Sequence, residues 1–303
     1  MSDDAVLREL APTARTLVER HLSNAKEWFP HELVPWSQGR DFEPGEVWTA
    51  EQAPMPDAVR SSLFVNLLTE DNLPHYFRTI DHLFTEDDPW GYWTRRWTAE
   101  EGRHAIVIRD YLTVTRSVDP VALERGRMAQ VTNGEVPQPA TVADGLVYVS
   151  LQELATRIAH GNTGRLMCDP IGAKIMAVVA GDEMKHHIFY RDLTSALLEL
   201  DPSTTMLAIE RNVRGFAMPG TGIPDFAGHA KAIALAGIYD FAAHHDSILQ
   251  PVVLGTWAIE SLEGLSPEAE QARDRCVAHI AKVGKAGRRM AERREAKAMA
   301  TAS

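Results

Sequence analysis

Apolar residues recur at steps of three and four along most of the chain, which is the spacing typical of amphipathic helices. A strand pattern is rare, and the best example, Leu146–Leu151, continues directly into a helical pattern. A further helical set extends from about residue 203 to the end. We therefore predict an all-α fold. Its long helices are predicted at about 57–84, 88–117, 141–166 and 169–200.

Proline positions refine these helices. An acidic residue directly before proline, in Asp87–Pro89 and in Asp169-Pro170, predicts an aspartate N-cap with proline near the first helical position. Pro74 lies inside the first predicted helix and lacks the amide that would bond the Glu70 carbonyl. The sequence allows either a tolerated kink at this point or a local loosening that adapts the helix.

The chain offers no low-complexity linker, so we predict a single domain over residues 1–303. Residues 22–56 are rich in proline, tryptophan and glycine and predict an irregular segment packed on the helical body. A basic helix is predicted at about 266–303, and its stretch 282–297 carries many cations and few large apolar residues. That stretch is interpreted either as a solvated helix or as a docking surface for an acidic partner.

Ionisable side chains interrupt the apolar face of each long helix. The 57–84 and 141–166 helices each carry one glutamate in phase with their apolar residues. The 88–117 and 169–200 helices each carry a Glu-x-x-His pair, and the i, i+3 spacing places both side chains on one face. These predicted inward-facing residues are Glu70, Glu101, His104, Glu153, Glu183 and His186.

A single Glu-x-x-His pair is a weak signal, because a chain of this composition yields about one by chance. Six ionisable groups on predicted buried faces are much more informative. Burying four unpaired carboxylates costs several kcal/mol each, so the cluster needs compensating positive charge. Oxygen-rich ligands with imidazole suit two iron or manganese ions. One glutamate from each of two helices and Glu-x-x-His from each of two others is the ferritin-like dinuclear pattern.

At these residues the sequence resembles the soluble acyl-[acyl-carrier-protein] desaturases, the stearoyl-ACP desaturase family. The resemblance spans about residues 20–220 and preserves the order of its motifs. The motifs are TEDNLPHY at Thr69–Tyr76, WTAEEGRH at Trp97–His104, LQELATRIAHGNT at Leu151–Thr163 and GDEMKHHIFY at Gly181–Tyr190.

This resemblance implies that the six inward-facing residues are ligands of two iron ions, with manganese as an alternative metal. It implies that Thr156 is the hydroxyl residue near the oxygen-binding face. Trp28 resembles the aromatic entry point of an electron path through Asp182 and His104. From the residues alone, Asp182 is also a plausible acceptor for the second nitrogen of His104. The family further implies O2 as oxidant, electrons from reduced ferredoxin and a homodimer.

Some positions depart from the family pattern. Gly102 stands where the family has asparagine, and Met184 and Lys185 replace its usual Lys-Arg pair. None of these is an implied ligand, so they bear on surface contacts and on the bonds around the ligands. The region after about residue 220 departs most, and no family role is carried over there.

Composition and charge narrow the possible partners. The chain has 303 residues and a formal net charge of −11, which argues against a nucleic-acid-binding surface. Cys168 and Cys276 alone cannot build a disulfide framework or a thiolate metal site. The acidic amino terminus lacks the apolar region of a signal or transit peptide, and no stretch is long enough to span a bilayer. These features predict a soluble cytoplasmic protein.

The resulting hypothesis is an O2-dependent desaturase acting on a fatty acyl chain that an acyl carrier protein delivers. Because carriers are acidic, an acidic enzyme needs a local basic patch, at helix starts or in the carboxy-terminal run. One alternative is a dinuclear oxidase or hydroxylase resembling the ribonucleotide reductase small subunit, for which Tyr190 is the best radical-site candidate. Another is a non-catalytic ferritin-like protein that binds metal or an acyl carrier.

Overall fold

The computed structural model describes residues 1–218, 220 and 222–302, and within them the chain forms helices and no β-strand. This confirms the all-α prediction, and Leu146–Leu151 lies within a helix. The α-helices are α1 (Asp3–Asn24), α2 (Pro30–Leu33), α3 (Asp57–Glu70), α4 (Leu73–Leu83), α5 (Trp90–Val114), α6 (Pro120–Asn133), α7 (Val142–Leu166), α8 (Pro170–Leu200), α9 (Pro202–Gly215), α10 (Phe226–Leu235), α11 (Phe241–His244) and α12 (Pro267–Ala302). Short 3-10 turns occur at Trp36–Gln38, Ala50–Gln52 and Ile259–Ser261, and His245–Thr256 is π-helical.

The prediction of one continuous helix at 57–84 is wrong, because the chain breaks between α3 and α4 immediately after Glu70. Pro74 has no amide to bond the Glu70 carbonyl, which removes one helical hydrogen bond at this point. The helical hydrogen bonds resume when the His75 amide donates to the Asn72 carbonyl at 3.0 Å. The ligand glutamate therefore occupies the last position of a helix.

The structure confirms one of the two predicted aspartate N-caps and contradicts the other. Asp169 caps α8 as predicted, since its carboxylate accepts from the amides of Ile171 and Gly172 at 3.1 and 3.0 Å. The cap predicted at the start of α5 is wrong, because no side chain caps that helix. There the Gly91 amide bonds the backbone carbonyl of Asp87 at 2.9 Å instead.

Helix α1 has no counterpart among the predicted helices, although it too has an apolar face. Val6, Leu10 and Leu17 are buried on that face, and α1 packs mainly on α8. Of the segment 22–56, predicted to be irregular, residues 22–24 complete α1, and the rest holds α2 and two 3-10 turns. Helix α12 occupies the region of the predicted basic helix, whose last residue, Ser303, lies outside the described residues.

Two apolar clusters lie one above the other in a bundle built by α3, α5, α7 and α8. On α5, Trp93 belongs to one cluster and Ile108 to the other. On α8, Tyr190 belongs to the first cluster and Val179 to the second. The segments of α5 and α8 between these residues form a layer in which apolar contacts do not fill the bundle. Among the helices that the structure describes, none has both the length and the apolar composition to cross a membrane.

Candidate metal centre

The layer between the two apolar clusters brings all six predicted ligands together. Glu70 ends α3, and Glu153 lies near the middle of α7. Helices α5 and α8 supply one Glu-x-x-His pair each, as the spacing predicts. Each of the six residues is buried. They are Glu70, Glu101, His104, Glu153, Glu183 and His186.

These side chains form two overlapping groups of four. Within each group one ligand atom per residue lies within 4.8 Å of all the others. Glu101 and Glu183 belong to both groups, whereas each histidine belongs to one. The first group adds Glu70 and His104, and the second adds Glu153 and His186. Two four-residue groups that share two carboxylates are the arrangement needed to hold two ions bridged by carboxylates.

The ligand atoms approach one another without forming hydrogen bonds. His186 Nδ1 lies 2.8 Å from Glu101 Oε1, yet neither atom has a hydrogen-bond partner in the described part of the chain. His104 Nδ1 lies 3.3 Å from Glu101 Oε2 and 3.4 Å from Glu183 Oε1, and it too is unpartnered. Unpaired polar atoms in a buried site are costly. Their convergence on common points fits a pair of cations.

The ionisation of the cluster shows the same need for positive charge. Burial, followed by the nearby charges of Glu101 and Glu183, raises the pKa of Glu153 well above its usual value. Burial opposes a charged imidazole, but nearby carboxylates, first Glu101 for His104 and first Glu100 for His186, still raise the pKa values of both well above normal. These shifts indicate an excess of negative charge at the site, which two divalent cations would offset.

A buried acid lies behind the His104 ring. Asp182 Oδ2 is 3.6 Å from His104 Nε2 and accepts a 2.8 Å hydrogen bond from Trp28 Nε1. The Trp28 and His104 rings are parallel, with centroids 6.3 Å apart. Lys185 Nζ donates to Asp182 Oδ1 at 2.6 Å, and Arg103 stacks over Trp28. Although burial opposes it, the nearby His104 ring and the hydrogen bond from Lys185 lower the pKa of Asp182.

A second acid lies behind His186 and was not predicted. Glu100 Oε2 lies 2.8 Å from His186 Nε2 and 2.9 Å from His21 Nε2, and Arg96 pairs with its other oxygen. Burial opposes it, yet hydrogen bonds from His186 and His21 lower the pKa of Glu100. Glu100 and Asp182 each directly precede a predicted ligand glutamate in the sequence. Each lies beside the predicted ligand histidine of the other helix, Glu100 beside His186 and Asp182 beside His104. The Glu100-Glu101 and Asp182-Glu183 pairs are the sequence signal that could have indicated this exchange.

His160 is a third histidine at the cluster. The sequence places it on the apolar face of its helix, but we did not predict it as a site residue. Its Nε2 is 3.0 Å from Glu70 Oε1 and 3.7 Å from Glu183 Oε1, and the side chain is buried. Together with His104, it offsets the effect of burial and lowers the pKa of Glu70.

An apolar cavity of about 100 Å³, here called the inner cavity, lies beside the cluster. Its border with the cluster is formed by Thr69, Glu70 and Thr156, which also line a space of about 20 Å³ among the ligands. The Thr156 hydroxyl donates to the Glu153 carbonyl at 2.9 Å. The structure thus places Thr156 at the boundary between a metal-ligand cluster and an apolar space.

Tyr190, the candidate radical site, is fully buried one turn after His186. Its hydroxyl accepts a 3.0 Å hydrogen bond from Trp93 Nε1, and its ring meets Phe189 edge to face. Tyr190 packs within the apolar cluster that also contains Trp93 and Phe189.

Comparisons with known proteins agree with this geometry. A family profile described as fatty acid desaturase matches residues 2–303. A Mycobacterium tuberculosis protein named acyl-[acyl-carrier-protein] desaturase DesA1 is 41% identical over 284 residues, covering 90% of this chain and 84% of its own. The stearoyl-[acyl-carrier-protein] 9-desaturase 6 of Arabidopsis thaliana is 35% identical over 241 residues, covering 73% of this chain and 61% of its own.

A crystal structure of an acyl-ACP desaturase, DesA2 of M. tuberculosis H37Rv, superposes on the chain with a TM-score of 0.72. The two are 28% identical, and the match covers 88% of this chain and 99% of that one. The helical architecture described above is therefore that of a solved relative.

Proposed function

Because the chain belongs to the fatty acid desaturase family, we propose that it introduces a double bond into a fatty acyl chain attached to an acyl carrier protein. The relatives named above carry that activity in their names, and the chain covers most of DesA1. The single observation that carries the proposal is the pair of ligand groups sharing Glu101 and Glu183 beside an apolar cavity.

The reaction removes one hydrogen from each of two adjacent methylene groups. With O2 as oxidant it balances when two electrons and two protons are supplied, and the products are the alkene and two waters. We assign the six inward-facing carboxylates and imidazoles as the ligands of two iron ions. When bound, the metal pair supplies the redox chemistry that side chains lack. Oxygen and imidazole donors suit iron, with manganese as the alternative.

The residues of the chain position the substrate and exclude water. The inner cavity offers an apolar wall for an acyl chain, and Thr156 lies where that wall meets the ligands. Holding two methylene groups at this border supplies the orientation the reaction requires. The apolar lining of the inner cavity comes from α3, α7, α10 and the residues around them. The lining residues are Val65, Ala159, Met218, Phe226, Ala230 and Ile233.

We assign the entry of electrons to the Trp28, Asp182 and His104 contacts, with a ferredoxin-type protein as donor. This contact chain runs from the half-exposed Arg103 and Lys185 side chains inward to a ligand imidazole. A homodimer and a cytoplasmic location belong to the same proposal. Exposed apolar side chains on one face of α6, Val121, Met128 and Val131, support a surface that a second copy covers.

The experiment combines metal analysis with product analysis. Iron-loaded protein is incubated with O2, reduced ferredoxin and carrier-bound acyl chains of several lengths, and the released fatty acids are identified by mass spectrometry. We expect two irons per chain and a mono-unsaturated product. Fully loaded protein that leaves every chain length saturated would overturn the proposal, as would a persistent tyrosyl radical signal after exposure to O2.

A further inference from the structure

The second half of α12 presents exposed cations on an otherwise acidic protein. Only one acid, Glu292, lies within residues 282–293. In the part of the chain that the structure describes, no salt bridge holds any of these cations. We call this set the α12 basic surface. It consists of Lys282, Lys285, Arg288, Arg289 and Arg293.

The α12 basic surface is held on the body of the protein. Gly284 packs so closely on His245 that a Cβ there would lie 2.6 Å from the imidazole Nε2. Gly287 packs equally closely on Ala242, with a corresponding distance of 2.7 Å to its Cα. Glycines at these two positions allow the helix to lie directly on α11 and the π-helical segment. The cations therefore occupy fixed places on the surface of a packed helix.

Another face of the same helix lines a second cavity. This outer cavity has a volume of about 410 Å³, and His279, Val283 and Met290 of α12 form one of its walls. The exposed side chain of Phe241 lies at its edge, and Phe216 lies in another wall. One helix thus carries a basic outer face and a largely apolar inner face that borders an open cavity.

The outer cavity leads toward the metal centre. Met218 and Tyr239 line both the outer and the inner cavity. The inner cavity then meets the ligand cluster at Glu70 and Thr156. At the junction, a 2.9 Å hydrogen bond joins the Tyr239 hydroxyl to His244 Nδ1. The two cavities are therefore neighbours, separated by Met218 and Tyr239, and both lie between α12 and the cluster.

We propose that the acyl carrier protein docks on the α12 basic surface and that its acyl chain reaches the metal centre through the outer cavity. The inference rests on the proposed function, because it takes the carrier-bound acyl chain as the substrate. Carriers are acidic, so an enzyme with a net charge of −11 needs a local surface of opposite sign to attract one. The α12 basic surface supplies it next to a cavity that accepts an alkyl chain.

The test reverses two charges. Arg288→Glu/Arg289→Glu is compared with Arg8→Glu/Arg78→Glu, which makes the same charge change at exposed arginines of α1 and α4. We expect KM for the acyl carrier substrate to rise about tenfold or more in the α12 variant, with kcat within about twofold of wild type. The control variant should keep the wild-type KM. Rising salt should raise the wild-type KM far more than that of the α12 variant.

A small substrate distinguishes the effect of carrier docking on KM from the effect of acyl-chain binding in the outer cavity. An acyl thioester of N-acetylcysteamine lacks the acidic protein, so its KM should be equal in wild type and the α12 variant. Equal carrier KM values in the two double variants would overturn the proposal. It is also overturned if the α12 variant raises KM for reduced ferredoxin and leaves that for the carrier unchanged, since the surface then serves the electron donor.

Different results would contradict the proposed desaturase function and the proposed docking site. Wild-type protein that binds the carrier, by fluorescence anisotropy of a labelled carrier, but makes no alkene would contradict the desaturase function alone. Binding that survives Arg288→Glu/Arg289→Glu would contradict the docking site alone. Circular dichroism of each variant establishes that its helices are intact.

Discussion

At the scale of single residues, the site is organised by which carboxylates are shared. Glu101 and Glu183 belong to both ligand groups, whereas Glu70 and Glu153 belong to one each. In the proposed dinuclear centre, losing a shared residue removes a ligand from both ions at once, and losing an unshared one leaves the second group complete. The positions are therefore unequal although all four are buried glutamates.

This inequality gives a metal-content prediction. Glu101→Ala is expected to abolish binding of both ions, because neither remaining group keeps enough ligands. Glu153→Ala should retain one tightly bound ion. Glu86→Ala, at an exposed position between α4 and α5, should bind as wild type. Iron per chain after gel filtration measures all three, and equal losses in Glu101→Ala and Glu153→Ala would contradict the sharing.

The unpredicted Glu100 yields a second residue-scale prediction. Glu100→Ala removes the acceptor of His186 Nε2, and such orienting partners are typically worth about 10–100-fold in metal affinity or activity. Glu100→Gln keeps an acceptor and should lose less. Glu124→Ala, an exposed acid on α6, is the control. Iron titration monitored by absorbance gives the affinities, and a Glu100→Ala affinity equal to wild type would exclude an orienting role.

The convergence of the six buried carboxylates and imidazoles could be predicted because a charge on an apolar helical face conflicts with burial, and helical periodicity alone reveals that conflict. The residues behind them could not. Glu100 and His21 are one contact further out, and their partners are set by how α1 and α5 pack on α8. His160 lies on a predicted apolar face, but a single inward histidine usually has a structural role. Its distance to Glu70 distinguishes it.

At the scale of elements, periodicity located α5, α7 and α8, whereas local hydrogen bonding decided where helices start and stop. Pro74 predicts either a tolerated kink or a local loosening, whereas the full break depends on the hydrogen bonds re-forming from Asn72. Asp88 and Asp169 both precede a proline but behave differently, because Asp169 turns its carboxylate onto free amides, as Asp119 and Asp201 also do, and Asp88 does not. These outcomes depend on backbone geometry that residue identity does not determine.

Asp88-Pro89 and Asp169-Pro170, two of the four Asp-Pro steps in the chain, form a matched pair for measurement. Asp169→Ala removes two hydrogen bonds at the start of α8 and the acceptor of the Tyr111 hydroxyl, which donates to Asp169 at 2.8 Å. We expect the free energy of unfolding to fall by about 1–2 kcal/mol. Asp88→Ala should change it by less than about 0.5 kcal/mol, because Asp88 is exposed and caps nothing. Urea unfolding followed by circular dichroism compares them, and equal losses would refute the difference.

At the scale of the whole molecule, the metal layer lies between two apolar clusters, with partner surfaces around the bundle. The contacts proposed for electron entry lie on the α2 and α8 side, and the α12 basic surface lies on α12. Composition indicates an acidic protein that needs a basic patch, and the packing of α12 against α11 shows in addition that this helix is held on the body of the protein. The proposed homodimer would add a third surface, on α6.

That third surface can be tested by one substitution. Met128 is 62% exposed on α6, and Met128→Asp would place a charge in an interface from which water is excluded. We expect the dimer to dissociate into folded monomers, measured by sedimentation velocity. Val47→Asp, at a more exposed apolar residue outside α6, should stay dimeric. A wild-type chain that sediments as a monomer would rule out the homodimer itself.

The two acids behind the histidines differ by one methylene, and that difference makes the centre asymmetric. Glu100 is long enough to lie 2.8 Å from its imidazole, whereas the shorter Asp182 stops 3.6 Å from the other and bonds a tryptophan instead. The His186 imidazole is therefore held by a hydrogen bond to Glu100, whereas the His104 imidazole has no such bond to Asp182. We expect the two ions to be released in sequence by a chelator, the one beside His104 first, so that slow demetallation passes through a half-filled species.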